Sequence, residues 1–120
     1  MNCCTPESIT KCFDNINDKS LNILKKYDCY LGAYPNGFNP IPEKWTLDSS
    51  HFITLRSDIT PKALYDKFYK KWIEKYYEKK RLRLLGGCCR ITPPAIKYMV
   101  DNIKKEFPKL IANTMMRSKL

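Results

Sequence analysis

The residues best suited to chemistry in this chain are its cysteines, six in 120 residues. Four of them form two adjacent pairs, Cys3-Cys4 and Cys88-Cys89, and the second pair directly follows Gly86-Gly87. A glycine pair permits a sharp turn and a close approach of backbone segments, and this one lies between an apolar run and a helix start. We therefore expect Cys88 and Cys89 to project at the mouth of a sheet.

The Cys3-Cys4 pair, like Cys88-Cys89, comes shortly before a Thr-Pro pair. We therefore expect Cys3 to lie at the equivalent strand end, where a third thiol can join the other two. Three thiolates on one Zn²⁺ leave a fourth tetrahedral position open, which is typical of a catalytic site, whereas a structural site is closed by four protein ligands. Soft sulfur donors favour zinc over magnesium or calcium. An open position on such a zinc suits a thiol substrate, whose thiolate is a competent nucleophile, and this indicates alkyl transfer to sulfur.

Other interpretations of the cysteines compete with a metal site. Cysteine packs as a small hydrophobic residue, so Cys88 and Cys89 could instead be buried in a core. A disulfide between them is disfavoured because adjacent residues poorly satisfy disulfide geometry. Cys12 and Cys29 are isolated in the sequence and are expected to be core residues, and His51, the chain's one histidine, is not expected to bind metal.

The composition is that of a folded domain with a basic excess. Against 12 Asp+Glu the chain has 22 Lys+Arg, a formal net charge of +10, and 43% of its residues are hydrophobic, which excludes a disordered polyelectrolyte. No apolar run approaches the roughly 20 residues of a membrane span, and the first residues do not resemble a signal peptide. We therefore expect a cytoplasmic protein with no membrane partner, in which thiols or metal ligands are favoured over disulfides.

The positive charge could indicate nucleic-acid binding, because lysine and arginine neutralise phosphates. However, the densest basic run, residues 70–83, interleaves its lysines with Trp72, Ile73 and Tyr76 at helical spacing. This pattern is typical of an amphipathic helix with a solvated basic face and an aromatic face in the core. No nucleic-acid partner is therefore expected.

Three Thr-Pro pairs indicate where the helices that position the thiols begin. Threonine accepts hydrogen bonds from unpaired amides at a helix start, and proline is tolerated at the first helical position. Apolar residues recur at helical spacing after each pair, which predicts three helices, the first of them continuing past residues 15–19. The pairs are Thr5-Pro6, Thr60-Pro61 and Thr92-Pro93.

Two short apolar runs, residues 29–33 and 82–86, are typical of buried strands. Strands that alternate with helices predict an α/β fold with a parallel sheet, in which these two runs are neighbours. Residues 34–37 and Cys88-Cys89 should then lie at the same end of the sheet. Residues 2–7 look like the end of a further strand whose body is missing, so the chain is expected to begin within a fold.

Three segments form an ordered set of motifs: Asn-Cys-Cys-Thr-Pro-Glu at residues 2–7, Tyr-Pro-Asn-Gly at residues 34–37, and Gly-Gly-Cys-Cys-Arg-Ile-Thr-Pro-Pro-Ala-Ile at residues 86–96. In order and approximate spacing they resemble the Asn-Cys segment, the Tyr-Pro-Asn segment and the C-terminal zinc signature of the homocysteine S-methyltransferases. The resemblance extends over nearly the whole chain, to about Lys105.

This resemblance implies a (β/α)₈ TIM barrel with zinc at its C-terminal face, and it maps the three zinc ligands onto Cys3, Cys88 and Cys89. It implies homocysteine as the thiol substrate, a sulfonium methyl donor such as S-methylmethionine or S-adenosylmethionine, and methionine as the product. Asn36 and Gly37 fall in a loop at the same mouth and are expected to contact substrate.

A whole barrel holds eight βα units in about 250 residues, so the chain would supply only the last three. On this interpretation residues 1–107 are the C-terminal part of a homocysteine-binding domain and residues 108–120 a tail. Cys4 lies beside a ligand position and is not expected to be a ligand. The segments near the start of the barrel that help hold homocysteine and the donor have no counterpart, so the chain alone is expected to be inactive. The alternative is a catalytically inactive zinc-binding or basic interaction module.

Overall fold

A computed structural model describes residues 1–40, 43–44, 46 and 55–110; His51 lies outside these residues. In the described part of the chain, three parallel strands form one sheet in the order β1-β2-β3. The strands are β1 (Asn2–Cys4), β2 (Leu31–Pro35) and β3 (Leu82–Leu85). The helices are α1 (Pro6–Asn15), α2 (Asp18–Lys26), α3 (Pro61–Leu64), α4 (Lys70–Tyr76) and α5 (Pro93–Glu106), and a π-helical segment (Tyr65–Tyr69) joins α3 to α4.

The pairing of β2 with β3 confirms the predicted parallel neighbours, with Leu31 opposite Leu82. Strand β2 begins two residues later than the sequence predicts. The reason is that Cys29 belongs to the turn that ends α2, where its amide donates to the carbonyl of Leu24 over 2.8 Å. Asp28 makes this turn by adopting a φ of 48°.

Strand β1 corrects the expectation that the first unit lacks its strand. Asn2 pairs in parallel with Tyr34, and Cys4 pairs with Pro35. The α-ammonium group of Met1 extends this edge by donating to the carbonyl of Gly32 over 2.9 Å. A short strand therefore places the Cys3 region beside the end of β2.

The Thr-Pro pairs begin helices α1, α3 and α5, as predicted. The hydroxyls of Thr5 and Thr60 accept backbone hydrogen bonds, whereas Thr92 caps without one. The first predicted helix, however, is two helices. Asn17 interrupts it, because its side chain accepts from the amide of Ser20 over 2.9 Å and so caps a new helix, α2.

The core lies between the sheet and the helices and is rich in aromatic residues. Phe13 of α1 stacks on Tyr76 of α4 with ring centroids 4.7 Å apart, and both are buried. Lys71 and Lys75 are exposed on the opposite face of α4, which confirms the predicted amphipathic helix. None of the helices in the described part of the chain is long and apolar enough to traverse a bilayer.

Candidate metal centre

The structure brings the three predicted ligands together. The Sγ atoms of Cys3, Cys88 and Cys89 all lie within 4.8 Å of one another. Cys3 Sγ is 3.4 Å from Cys89 Sγ, and Cys88 Sγ is 3.9 Å from Cys89 Sγ. Tetrahedral zinc with Zn–S bonds of about 2.3 Å separates its sulfur ligands by roughly 3.8 Å. The two sulfur separations are therefore close to those of a tetrahedral zinc site, and the cluster could hold a metal ion.

A bulge in β1 places Cys3, the first predicted ligand. The register of β1 against β2 shifts between Asn2 and Cys4, and Cys3 between them adopts a φ of 53°. A non-glycine residue in this left-handed region is uncommon, and bulges re-aim side chains next to active sites. The thiol of Cys3 thus reaches the cluster through a local distortion of the strand.

The Gly86-Gly87 pair, which packs closely against its neighbours, leads into the other two predicted ligands. A Cβ on Gly86 would lie 2.4 Å from Cε1 of Tyr34, and a Cβ on Gly87 would lie 2.4 Å from Cγ2 of Ile91. Neither glycine has a positive φ; Arg90, just after the cysteine pair, adopts one of 66°. The glycines therefore make room for the side chains of Tyr34 and Ile91, and the close approach of backbone segments expected from this pair stays a prediction.

Backbone hydrogen bonds join the ends of the strands at the cluster. The amide of Cys88 donates to the carbonyl of Pro35 over 2.9 Å, and the amide of Gly37 donates to the carbonyl of Cys89 over 3.0 Å. The amide of Asn36 donates to the carbonyl of Cys4 over 2.9 Å. The expectation that residues 34–37 and the cysteine pair share one end of the sheet is confirmed.

The side chain of Asn36 is buried among these loops and has partners within the chain. Its Nδ2 donates to the carbonyl of Cys3 over 2.9 Å, and its Oδ1 accepts from the amide of Phe38 over 3.2 Å. Gly37 lies against Arg90, whose carbonyl oxygen would be 3.3 Å from an added Cβ. Both residues border the cluster, and their contact with substrate stays a prediction.

Contacts within the cluster shift the pKa values of Cys3 and Cys89. Hydrogen bonds with the thiols of Cys88 and then Cys89 lower the pKa of Cys3 below its ordinary value. The pKa of Cys89 is raised to about 11, because its hydrogen bonds with Cys3 and Cys88 and their negative charge favour its protonated form. A cation bound among the thiols would relieve the negative charge that keeps Cys89 protonated.

The remaining cysteines lie outside the cluster. Cys4 donates from its Sγ to the carbonyl of Asn2 over 3.3 Å and is not among the clustered thiols, in agreement with the expectation. The expectation that Cys12 and Cys29 are core residues is wrong, since both are exposed. Cys12 lies on the solvent face of α1, and Cys29 follows the turn that ends α2.

Two residues near the site have contacts that the sequence pattern does not reveal. The hydroxyl of Tyr69 donates to the carbonyl of Gly86 over 2.5 Å. The guanidinium of Arg56 forms two hydrogen bonds with the carboxylate of Glu7, at 2.7 and 2.8 Å, and its backbone amide donates to Gly37. These hydrogen bonds lower the pKa of Glu7. Neither residue could be identified from the sequence. Tyr69 only flanks an apolar stripe in the sequence, and Arg56 contacts residues that are far from it along the chain.

Comparison with models of protein families matches residues 1–103 to the family described as homocysteine S-methyltransferase. The chain belongs to the homocysteine S-methyltransferase family. All five predicted site residues of this homocysteine S-methyltransferase homologue fall within the matched range. Searches among curated proteins and among solved structures each give no match. Family membership supports methyl transfer to homocysteine as the general activity, and the parallel α/β sheet is consistent with βα units of such a domain.

Proposed function

We propose that this chain is the zinc-binding C-terminal portion of a homocysteine S-methyltransferase domain. Its reaction is the transfer of a methyl group from a sulfonium donor to the thiol of homocysteine, giving methionine. The observation that carries the proposal is the convergence of Cys3, Cys88 and Cys89 at one end of a parallel sheet, within the residues matched to the family.

The chain's own residues contribute a trithiolate site that substrate can reach. Cys3 and Cys89 are exposed, so a substrate thiol has access to the cluster from solvent. Zinc bound there would supply Lewis acidity, which lowers the pKa of a thiol held at the fourth position. The homocysteine sulfur then forms a bond to the methyl carbon while the donor's S–CH₃ bond breaks, and its electron pair stays on the donor sulfur. The thiol proton leaves to solvent, and exposed reduced thiols of this kind suit a cytoplasmic setting.

We further propose that the sheet is part of a (β/α)₈ barrel. Among the described residues, β1 and β3 each pair with β2 alone, so each has an open outer edge. Leu84 of β3 is 54% exposed at one of these edges. Five further βα units would cover both edges, with residues 1–107 as the last three units and residues 108–120 as a tail.

An incomplete barrel has consequences for activity. The substrate cleft of this chain alone lacks its opposite wall, and with it the groups that align donor and thiolate. Such alignment can contribute on the order of 7 to 11 kcal/mol to catalysis. We therefore expect the isolated chain to bind zinc and homocysteine but to form methionine far more slowly than a complete domain.

Spectroscopy of the cobalt-substituted chain tests this function without relying on turnover. Adding homocysteine should increase the thiolate-to-cobalt charge-transfer absorption, because a further sulfur joins the metal. Methionine, whose sulfur is already methylated, is the matched control and should leave the spectrum unchanged. Metal binding without a response to homocysteine would favour a zinc-binding interaction module, and failure to bind zinc or cobalt would overturn the proposal.

A further inference from the structure

The π-helical segment Tyr65–Tyr69 interrupts an otherwise continuous helix. Such segments are rare and frequently occur at functional sites. This one begins and ends with a buried tyrosine, since Tyr65 is 1% and Tyr69 0% exposed. The surroundings of the two hydroxyls differ: that of Tyr69 donates to a backbone carbonyl, whereas burial and then the nearby carboxylate of Glu106 raise the pKa of Tyr65.

The partner of Tyr69 is the carbonyl oxygen of Gly86, 2.5 Å from the hydroxyl. The amide of Gly86 also donates to the carbonyl of Ala33 over 3.1 Å, so both the N–H and the C=O group of Gly86 are hydrogen-bonded. It lies two residues before Cys88. The hydroxyl therefore holds the turn that leads into the metal-binding pair.

The tyrosine ring is itself firmly held. It packs edge-on against Trp72 with ring centroids 5.5 Å apart, and the indole of Trp72 donates to the hydroxyl of Thr10 over 2.9 Å. Burial raises the pKa of Tyr69 far above neutrality, so its hydroxyl remains a proton donor. A rigid, permanently protonated donor is suited to hold a backbone carbonyl in one place.

We propose that Tyr69 is a positioning residue for the metal centre: by holding the carbonyl of Gly86 it fixes the turn that presents Cys88 and Cys89 to Cys3. The inference rests on the proposed function, because it gives Tyr69 a role in zinc binding. Groups that orient metal ligands typically change metal affinity ten- to a hundredfold when they are removed.

The test compares Tyr69→Phe with Tyr65→Phe in the full chain. Each substitution removes one buried hydroxyl from the same helical segment, but only the first removes the hydrogen bond to the carbonyl of Gly86. Zinc affinity, measured by competition with a chromophoric chelator, should fall about ten- to a hundredfold in Tyr69→Phe and stay within about twofold in Tyr65→Phe. The cobalt charge-transfer bands should shift in Tyr69→Phe alone.

A second readout needs no metal. The amides of Gly37 and Cys88 donate hydrogen bonds that hold the loops together, and their hydrogen exchange in the metal-free chain should be several-fold faster in Tyr69→Phe than in Tyr65→Phe. Unchanged exchange, or unchanged zinc affinity alongside lowered thermal stability, would overturn the positioning role. If the unmodified chain binds no zinc, the proposed function fails first, whatever the exchange rates, and the positioning role fails with it.

Discussion

The amide of Gly37 donates a hydrogen bond to the carbonyl of Cys89 over 3.0 Å, so the loop that follows β2 is joined to a predicted metal ligand in the loop that follows β3. The side chain of Asn36, the preceding residue, donates from its Nδ2 to the carbonyl of Cys3 over 2.9 Å. The Tyr-Pro-Asn-Gly segment therefore connects the two parts of the predicted ligand set.

Replacing one clustered thiol should abolish tight zinc binding. Cys88→Ser removes one of three sulfur donors, and we expect zinc affinity to fall by on the order of 100-fold or more, because losing even an outer partner of a ligand costs about 10- to 100-fold. Metal analysis after dialysis checks this. Cys12→Ser is the matched control, since Cys12 is exposed and outside the cluster. Full zinc occupancy in Cys88→Ser would contradict the assigned ligand set.

Asn36→Ala separates two roles for this residue. The change leaves the carbonyl of Cys3 and the amide of Phe38 without their partner, so we expect a loss of about 1 to 3 kcal/mol in stability and about tenfold weaker zinc binding. Thermal unfolding and chelator competition measure the two effects. Asn15→Ala, at the exposed end of α1, is the control. Unchanged zinc affinity with weakened homocysteine binding would instead support the substrate contact expected from the sequence.

Gly87→Ala should be destabilising because there is no room for the added methyl group. Its Cβ would lie 2.4 Å from Cγ2 of Ile91 and 3.2 Å from Cδ1 of Ile96. Forcing a methyl group into packed surroundings typically costs about 1 to 3 kcal/mol, which denaturant unfolding would detect. Gly32→Ala is a milder comparison, with its nearest contact at 3.1 Å. Equal stability of the two variants would show that the turn is free to move.

The thiol titrations depend on each other, and Cys3→Ser tests this in the metal-free chain. The pKa of Cys89 is about 11, raised chiefly by its hydrogen bond with Cys3. Removing the Cys3 thiol should lower the pKa of Cys89 towards its ordinary value of 9.0. At a pH between these values, Cys89 should then react faster with an alkylating reagent. Cys29→Ser should leave this profile unchanged.

The Arg56–Glu7 ion pair predicts a loss of stability in acid. Arg56 lowers the pKa of Glu7 in the folded chain, so the pair stabilises the fold above the ordinary pKa of 4.5, and this contribution disappears as the pH falls through the lowered value. The Glu7 side chain is 48% exposed, so we expect no more than about 1 kcal/mol. Glu7→Gln removes the titrating carboxyl but leaves Arg56 paired with Asp58, and it should reduce the slope of stability against pH in this acid range. An unchanged slope would show that other carboxylates cause the loss of stability in acid.

The sequence predicted those parts of the site that depend on strand ends and residue chemistry. Glycines and cysteines that follow apolar runs identify the cluster, since parallel strands bring their carboxyl ends to one edge of a sheet. The sequence did not predict the bulge at Cys3 or the π-helical segment, because both are local backbone departures with no residue signature. The hydrogen bond of Tyr69 to Gly86 depends on that segment, so it could not be foreseen either.

The ends of two helices and the start of one strand were also not predicted from the hydrophobic pattern. Asn17 ends one helix and begins another through its own side chain, although the apolar spacing runs on past it. Cys29 looks like the start of a strand but is used to finish α2, since its amide bonds to Leu24. In each case a single hydrogen bond outweighs the hydrophobic pattern.

The predicted ligands lie in the first strand and in the loop that follows the last one, and Cys3 and Cys89 are 86 positions apart in sequence. Bringing Cys3 and Cys89 together closes a long loop, and this costs conformational entropy. The other contacts of the fold must offset that cost, so we expect the cluster to form late in folding. A zinc ion held there would act as a reversible crosslink between the first and last strands, added after the chain has folded. Removing the metal should therefore speed unfolding more than it slows folding, so a chelator would shorten the lifetime of the native state.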